Sequence, residues 1–252
     1  MAEFIPLLAG TITLRPYVVI FLLFHLYAAG RDLGFWRAGL FTLYGWAVAF
    51  AAEFASTRIG IPFGLYRYTG NTRGEELYLS NVPFFDSLSF PFLAYASFCL
   101  ARWALRRGGR GGTLALAGVL MMLLDVVIDP LAVRGDRWFL GRIFYYPEGG
   151  IYFGVPLSNF LGWAIVAWVI VGGYLALTRD EPKGRPHLGL GLFYGVLVFN
   201  LLITWRIGEH GLLAAGILLH AMVFLVLWYA RGVTAVRPAG LSARRFRWGL
   251  KG

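Results

Sequence analysis

Three acidic residues, Glu53, Asp125 and Asp129, lie inside or beside long apolar runs of the 252-residue chain, and Asp86 lies at the beginning of another. A charged side chain at the centre of a bilayer costs about 2.5–3.5 kcal/mol on insertion scales. Acids at such positions therefore commonly mark a substrate or proton site. Three of them, Glu53, Asp125 and Asp129, are the candidate catalytic residues.

Asp125 and Asp129 are four residues apart in LMMLLDVVIDPLAV, so on a helix they lie one turn apart on the same face. Two carboxylates that close in a poorly solvated site cannot both ionise cheaply, and one of them is expected to stay protonated at neutral pH. The pair is thus a candidate neutral proton donor. Alternatively, Asp129 ends a helix in the headgroup region, because Pro130 follows it.

The remaining charged groups near these runs have structural as well as functional interpretations. Glu53 precedes Arg58 by five residues, so it either forms an ion pair with that arginine or faces the aspartate pair as a further carboxylate. Asp86 begins an apolar run, a position that favours helix capping. Arg206 and Glu209 are spaced to pair with each other. The functional alternative is that Arg58, Asp86 and Arg206 support the site, with Arg206 helping to hold the carboxylates.

The elements that must position these side chains are membrane helices. Apolar residues make up 58% of the chain and charged residues 14%, a composition typical of polytopic membrane proteins. No internal repeat is visible. We predict an all-α transmembrane bundle of about seven spans, forming a single membrane-embedded domain over residues 1–252. The predicted spans lie at about 16–33, 38–57, 84–105, 113–133, 155–178, 187–205 and 211–230.

The basic residues are unevenly distributed between alternate connections. One set of connections, which includes the C-terminal tail from about residue 231, holds fifteen of the 23 basic residues, and the other set holds eight. The positive-inside rule then predicts a multi-pass protein of the inner membrane with a cytoplasmic C-terminus. The tail is better suited to anionic lipid headgroups than to nucleic acid, which is not an expected partner. Its basic residues are Arg237, Arg244, Arg245, Arg247 and Lys251.

Two long connections, residues 58–83 and 134–156, are rich in aromatic residues, glycine and proline, and both fall on the side opposite the tail. Their tyrosines and tryptophans either form an interfacial aromatic belt or close a lipid-accessible pocket. Both connections join spans that deliver acids to the same face.

Several chemistries are disfavoured by composition. The four histidines form no HxxxH or HxxHH box, the lysines lie outside the apolar runs, and no phosphate-binding or dinucleotide motif is present. Cys99 is the single cysteine, so a cysteine metal site is excluded within the chain. Neither a metal nor a cofactor is expected.

Three sequence strings in this predicted membrane protein indicate a protein family more specifically than the composition does. EFASTRIGIPFGLYRY (53–68), DVVIDPLAV (125–133) and YFGVPLSNFLGW (152–163) resemble the CruF-type carotenoid hydratases, which are membrane proteins of carotenoid biosynthesis. That family comprises γ-carotene 1′-hydroxylases and bisanhydrobacterioruberin hydratases. The resemblance covers about residues 35–230, and Asp86 is the acid that matches the family least securely.

The resemblance implies cofactor-free addition of water to the terminal C1′=C2′ double bond of an acyclic carotenoid end such as that of γ-carotene, lycopene or bisanhydrobacterioruberin. The Asp125/Asp129 pair would supply a proton, and aromatic faces would stabilise a tertiary carbocation. The implied partners are the carotenoid, water, membrane lipids and other carotenoid-pathway enzymes. Candidate substrate-binding residues are Phe63, Tyr66, Tyr68, Phe153, Asn159 and Trp163. Either Asn159 or the ionised carboxylate of the aspartate pair is expected to hold the water.

Two other classes remain open. A carrier for a carotenoid or another isoprenoid lipid would bind it in an apolar groove between the helices without turnover, but it would have no need for intramembrane acids. An ion-coupled transporter would show repeat symmetry and interrupted helices in both halves, and neither is seen in the sequence.

Overall fold

The computed structural model describes residues 4–105, 109–178 and 184–236, with side chains described as far as residue 232. The tail residues Arg237, Arg244, Arg245, Arg247 and Lys251 lie outside this part of the chain. Within it the fold is all-α, as predicted. The helices are α1 (Phe4–Leu14), α2 (Pro16–Leu33), α3 (Phe35–Ile59), α4 (Asp86–Ala104), α5 (Arg110–Ala132), α6 (Leu157–Thr178), α7 (His187–Arg206) and α8 (His210–Val236).

Local sequence accounts for several helix boundaries. Pro16 occupies the first turn of α2, where its missing N–H would have no helical partner, and it holds Arg15 outside the helical region. The axes of α1 and α2 consequently differ by 88°. Gly60 ends α3 in the left-handed conformation at φ 74°, with its N–H donating to the carbonyl of Ser56.

Each of the seven predicted spans is a helix in the structure. Five helices, α3, α5, α6, α7 and α8, are long and apolar enough to cross a membrane, and the bent pair α1 and α2 brings the number to six. The chain is therefore an integral membrane protein. The predicted count of about seven also included α4, which is less apolar than these helices.

The position of α4 explains why it can be less apolar. It packs against every helix from α2 to α8, and its residues 93–101 are all buried. Because α4 faces protein and not lipid, polar groups such as Ser87 and Tyr95 can bond to acids of neighbouring helices inside the bundle. This helix is the axis around which the candidate site is built.

The two long connections meet at one end of the bundle. The segment between α3 and α4 contains β1 (Arg67–Tyr68), and the segment between α5 and α6 contains β4 (Phe144–Tyr145). These strands pair in an antiparallel ladder, with Tyr68 opposite Phe144. A second two-stranded ladder joins β2 (Tyr78–Leu79) to β3 (Val82–Pro83). The paired connections close the end of the bundle at which α3 and α5 end.

Candidate active site

A cavity of about 130 Å³ lies beneath the paired connections, between the helices. Three acids reach its wall: Glu53 from α3, Asp86 from α4 and Asp129 from α5. The rest of the wall is mostly aromatic and aliphatic. Three helices thus bring these sequence-predicted acids together, and Asp125 lies behind the wall.

Asp125 and Asp129 lie on the same face of α5, as their spacing predicts. The side-chain amide of Asn159 links them, since its Nδ2 atom lies 2.6 Å from Asp125 Oδ2 and 2.7 Å from Asp129 Oδ2. The indole Nε1 of Trp163 donates a further hydrogen bond of 3.3 Å to Asp129 Oδ2. Asp125 is fully buried, whereas Asp129 is 9% exposed and faces the cavity.

The interpretation of Asp129 as a helix terminus is wrong. Helix α5 continues through Pro130 to Ala132, and the last turn is closed by a hydrogen bond from the Val133 N–H to the Asp129 carbonyl. A proline near the end of a helix removes one hydrogen bond without ending the helix at the preceding residue. Asp129 therefore lies within the helix and inside the bundle.

Glu53 is held by hydroxyl groups. Tyr68 donates a hydrogen bond of 3.1 Å to Glu53 Oε1, and Ser87 donates a short one to Glu53 Oε2. The alternative pairing with Arg58 is wrong, because that guanidinium bonds the Phe54 carbonyl and the Ser80 hydroxyl at the exposed end of α3. Glu53 thus belongs to the cavity.

Asp86 has a different partner from the one its position suggests. The predicted capping role is wrong: Phe85 is the N-cap residue and no side chain caps α4. The Asp86 carboxylate instead forms an ion pair with Arg15, whose other nitrogen lies 2.7 Å from Glu76 Oε1. The sequence carried no signal for Arg15 in the site, because its partners are more than sixty residues away.

The aromatic wall contains most of the predicted substrate-binding residues. Phe63, Tyr66, Tyr68, Asn159 and Trp163 all line the cavity. Phe90 from α4 and Phe144 from the second connection also line the cavity, although neither was a predicted site residue. Tyr146, one of the tyrosines predicted to form a belt or close a pocket, lines it too.

Two predicted site residues lie elsewhere. Phe153 is not on the cavity wall; it packs against Tyr152, and its carbonyl accepts a hydrogen bond from Arg134. Arg206 is exposed, and the predicted pair with Glu209 is replaced by ion pairs of Glu209 with Arg134 and Arg137. These contacts tie the second connection to the turn between α7 and α8.

Stacking fixes the orientation of the central tryptophan. The Trp163 and Phe90 rings are stacked, with centroids 4.3 Å apart and planes inclined by 16°. Phe63 lies against the same tryptophan with its centroid 6.2 Å away. Aromatic pairs at such distances contribute about 0.5–1.5 kcal/mol beyond the area that they bury. The indole therefore lies between its stacking partner Phe90 and its hydrogen-bond acceptor Asp129.

Three tyrosines of the two connections lie on the cavity wall and are neutral. Burial raises the pKa of Tyr66, Tyr68 and Tyr146 well above the ordinary value of 10.0, and nearby carboxyl groups raise it further. These phenols stay protonated at physiological pH. Their burial favours the pocket-closing interpretation of the two connections over an interfacial belt.

The described residues contain no group of three or more His, Cys, Asp and Glu side chains placed to hold a metal ion. The hydrogen-bonding partners of the carboxyl groups at the cavity are hydroxyl, amide, indole and guanidinium groups. This arrangement supports proton transfer to a bound apolar molecule. It also provides aromatic faces for a cationic species.

Comparisons with known proteins agree with the resemblance seen in the sequence strings. A family model described as carotenoid biosynthesis protein matches residues 7–230. A relative from Haloarcula japonica, described as bisanhydrobacterioruberin hydratase, is 32% identical over 232 residues, which cover 84% of this chain and 75% of that protein. No solved structure gives a significant match. The chain belongs to the family of carotenoid biosynthesis proteins.

Proposed function

We propose that this protein is a carotenoid hydratase, which adds water across the terminal C1′=C2′ double bond of an acyclic carotenoid end. The observation that carries the proposal is the convergence of Glu53, Asp86 and Asp129 on a small cavity with a mostly aromatic and aliphatic wall. The relative described as a hydratase supports the same reaction class. A carrier that only binds a hydrocarbon would have no need for acids in its pocket.

The reaction is a proton transfer followed by capture of a cation. A carboxylic acid donates its proton to C2′, so a C–H bond forms and the π bond breaks, which leaves a tertiary carbocation at C1′. The oxygen of a water molecule then bonds to C1′ and its extra proton passes to a carboxylate. Water is added, nothing is oxidised or reduced, and the balance requires no cofactor.

Asp129 is the proposed proton donor. It faces the cavity, whereas Asp125 lies behind it and shares the Asn159 amide with it. Two carboxyl groups that share one donor in a buried site favour a state with a single negative charge. Asp125 is therefore proposed to keep the pair singly protonated, with Asn159 fixing the geometry and the proton on Asp129 available to the alkene.

The aromatic wall is proposed to stabilise the carbocation. A cation over an aromatic face within about 6 Å gains about 0.5–2 kcal/mol, and tryptophan is the best of the aromatic residues. Trp163 stacks on Phe90 and donates a hydrogen bond to Asp129, and these two contacts set the position of its ring relative to the proposed proton donor. Tyr66 and Tyr68 complete the wall on the Glu53 side.

The size of the cavity limits which part of the substrate enters. A dry cavity of about 150 Å³ accommodates benzene, so a cavity of about 130 Å³ holds a group of roughly six carbons. The terminal isoprene unit of a carotenoid is of this size. The polyene is then proposed to leave the cavity past Tyr17, Phe21 and Val196, which form its wall on α2 and α7.

The origin of the hydroxyl oxygen tests the reaction class. Membranes containing the protein and an acyclic carotenoid are incubated without O₂ in ¹⁸O-labelled water, and the carotenoids are analysed by mass spectrometry. We expect a product heavier by one labelled water, formed without added cofactor. A requirement for O₂ would contradict the proposal, and bound but unchanged carotenoid would support the carrier alternative.

The proposal includes the orientation of the protein in the membrane. We propose that the C-terminus lies in the cytoplasm and the cavity near the opposite face, because fifteen of the 23 basic residues lie on one set of connections. Water would then enter the cavity from the non-cytoplasmic side.

Labelling of single cysteines tests this orientation. In a Cys99→Ser background, Asn71→Cys lies in the exposed first connection, and Ser242→Cys lies in the tail beyond the described residues. A membrane-impermeant thiol reagent is expected to label position 71 in intact cells and position 242 only after lysis. The reverse pattern would contradict the orientation and move the active site to the cytoplasmic face.

A further inference from the structure

The three acids on the cavity wall differ in the charge of their partners. Glu53 accepts hydrogen bonds from Tyr68 and Ser87, and Asp129 accepts them from Asn159 and Trp163, all of which are neutral donors. Asp86 is the cavity acid that forms an ion pair with an arginine. The site therefore has one carboxylate that is matched by a fixed positive charge.

That positive charge is itself buried and held in place. Arg15 is 2% exposed, and an arginine side chain remains protonated under all ordinary conditions. Its second nitrogen is bound to Glu76, which also accepts a hydrogen bond from the Thr72 hydroxyl. The guanidinium is thus fixed between the first connection and the beginning of α4.

A buried arginine favours the ionised form of the carboxylate that it contacts. Asp86 is consequently suited to accept a proton from water, while the Asp125/Asp129 pair, which has only neutral donors, is suited to give one. At the same pH the proton donor must be protonated and the proton acceptor must be ionised. All of these residues are aspartates, and the ion pair with Arg15 is the feature that favours the ionised form of Asp86.

We propose that Asp86 binds the water that captures the carbocation and accepts its proton, and that Arg15 is the positioning residue that keeps Asp86 ionised. This inference rests on the proposed hydratase function and adds a second catalytic residue to it. As the water oxygen bonds to C1′, one O–H bond breaks and its proton moves to Asp86. Asp129 has lost one proton to C2′ and Asp86 has gained one, so exchange of a single proton between them through water restores the site.

Incorporation of deuterium into unhydrated carotenoid measures protonation of the alkene separately from capture of the carbocation by water. In D₂O the donor carries deuterium, and a cation that is not captured returns to alkene by losing a proton from C2′ or from a methyl group. Deuterium then stays in the recovered, unhydrated carotenoid. We expect Asp86→Asn to hydrate at least tenfold more slowly while the ratio of deuterated substrate to hydrated product rises at least tenfold.

Variants of the proton donor Asp129 and of the positioning residue Arg15 are measured in the same way. Asp129→Asn should lose deuterium incorporation and hydration together. Arg15→Gln should shift the ratio in the same direction as Asp86→Asn, and Arg15→Lys should restore it in part, because a lysine retains the charge. Glu75→Gln is the matched control, since it also replaces a carboxylate by an amide, but at an exposed position of the first connection, and it should leave the ratio unchanged.

Two results would overturn the assignment of Asp86. One is an Asp86→Asn variant that binds carotenoid, shown by the visible absorption of the bound polyene, and hydrates it at the wild-type rate. The other is a parallel fall of deuterium incorporation and hydration, which would make Asp86 part of the proton donor. Failure of the hydratase proposal itself is distinct, because the wild-type protein would then form no hydrated product.

Discussion

Asp129→Asn is expected to lower the rate of carotenoid hydration by about 10²-fold or more, the usual scale for losing a general acid. The amide has nearly the same shape as the carboxyl group and still reaches Asn159 and Trp163, but it cannot donate a proton of useful acidity. The protein should therefore insert into the membrane and bind carotenoid normally. Product formation in membranes, measured by chromatography and mass spectrometry, checks the expectation.

Asp125→Asn is expected to have a loss of the same order, although Asp125 does not line the cavity. Replacing it with an amide removes the group with which Asp129 shares its proton and leaves the buried Asn159 amide against another amide. Asp136→Asn is the control, because Asp136 is exposed in the second connection. If both helix variants hydrate carotenoid at near wild-type rates, the mechanism based on the aspartate pair is wrong.

Trp163→Leu is expected to lower hydration by roughly thirtyfold. A desolvated cation gains about 2 kcal/mol from an aromatic face, and each 1.36 kcal/mol of barrier corresponds to about a factor of ten in rate. Leucine fills part of the space between Phe63 and Phe90 but offers no π face. The loss should appear in the turnover number more than in the amount of carotenoid bound, because the charge develops only during the reaction.

Two further variants identify the cause of that loss. Trp163→Phe keeps an aromatic face and removes only the 3.3 Å hydrogen bond to Asp129, so it should lose less than about tenfold. Trp168→Leu makes the same change on α6 at a position that is 36% exposed, and its activity should be unchanged. Equal losses for Trp163→Leu and Trp163→Phe would show that the indole N–H, not the aromatic face, is the important feature.

The sequence by itself determined the features that depend on neighbouring residues. Each of the seven apolar runs is a helix, because length and apolar composition are local properties that a membrane selects directly. The one-turn relation between Asp125 and Asp129 follows in the same way from their spacing on a helix. The motif strings indicated Asn159 and Trp163 as candidate site residues, and in the structure both donate hydrogen bonds to Asp129.

Only the tertiary structure decided which partner each polar group has. Arg15 lies 71 residues from Asp86, so their ion pair depends on how α2 and α4 pack and on the path of the first connection. Glu53 accepts a hydrogen bond from Tyr68 and does not pair with Arg58, which is nearer in the sequence. The paired strands β1 and β4 bring Tyr68 over the cavity, whereas Arg58 lies at the exposed end of α3. Phe90 lies on the cavity wall and stacks on Trp163, whereas Phe153, a predicted substrate-binding residue, packs against Tyr152 outside it. The direction of a side chain across an interface is set by packing between distant elements, which the spacing of residues along the chain does not specify.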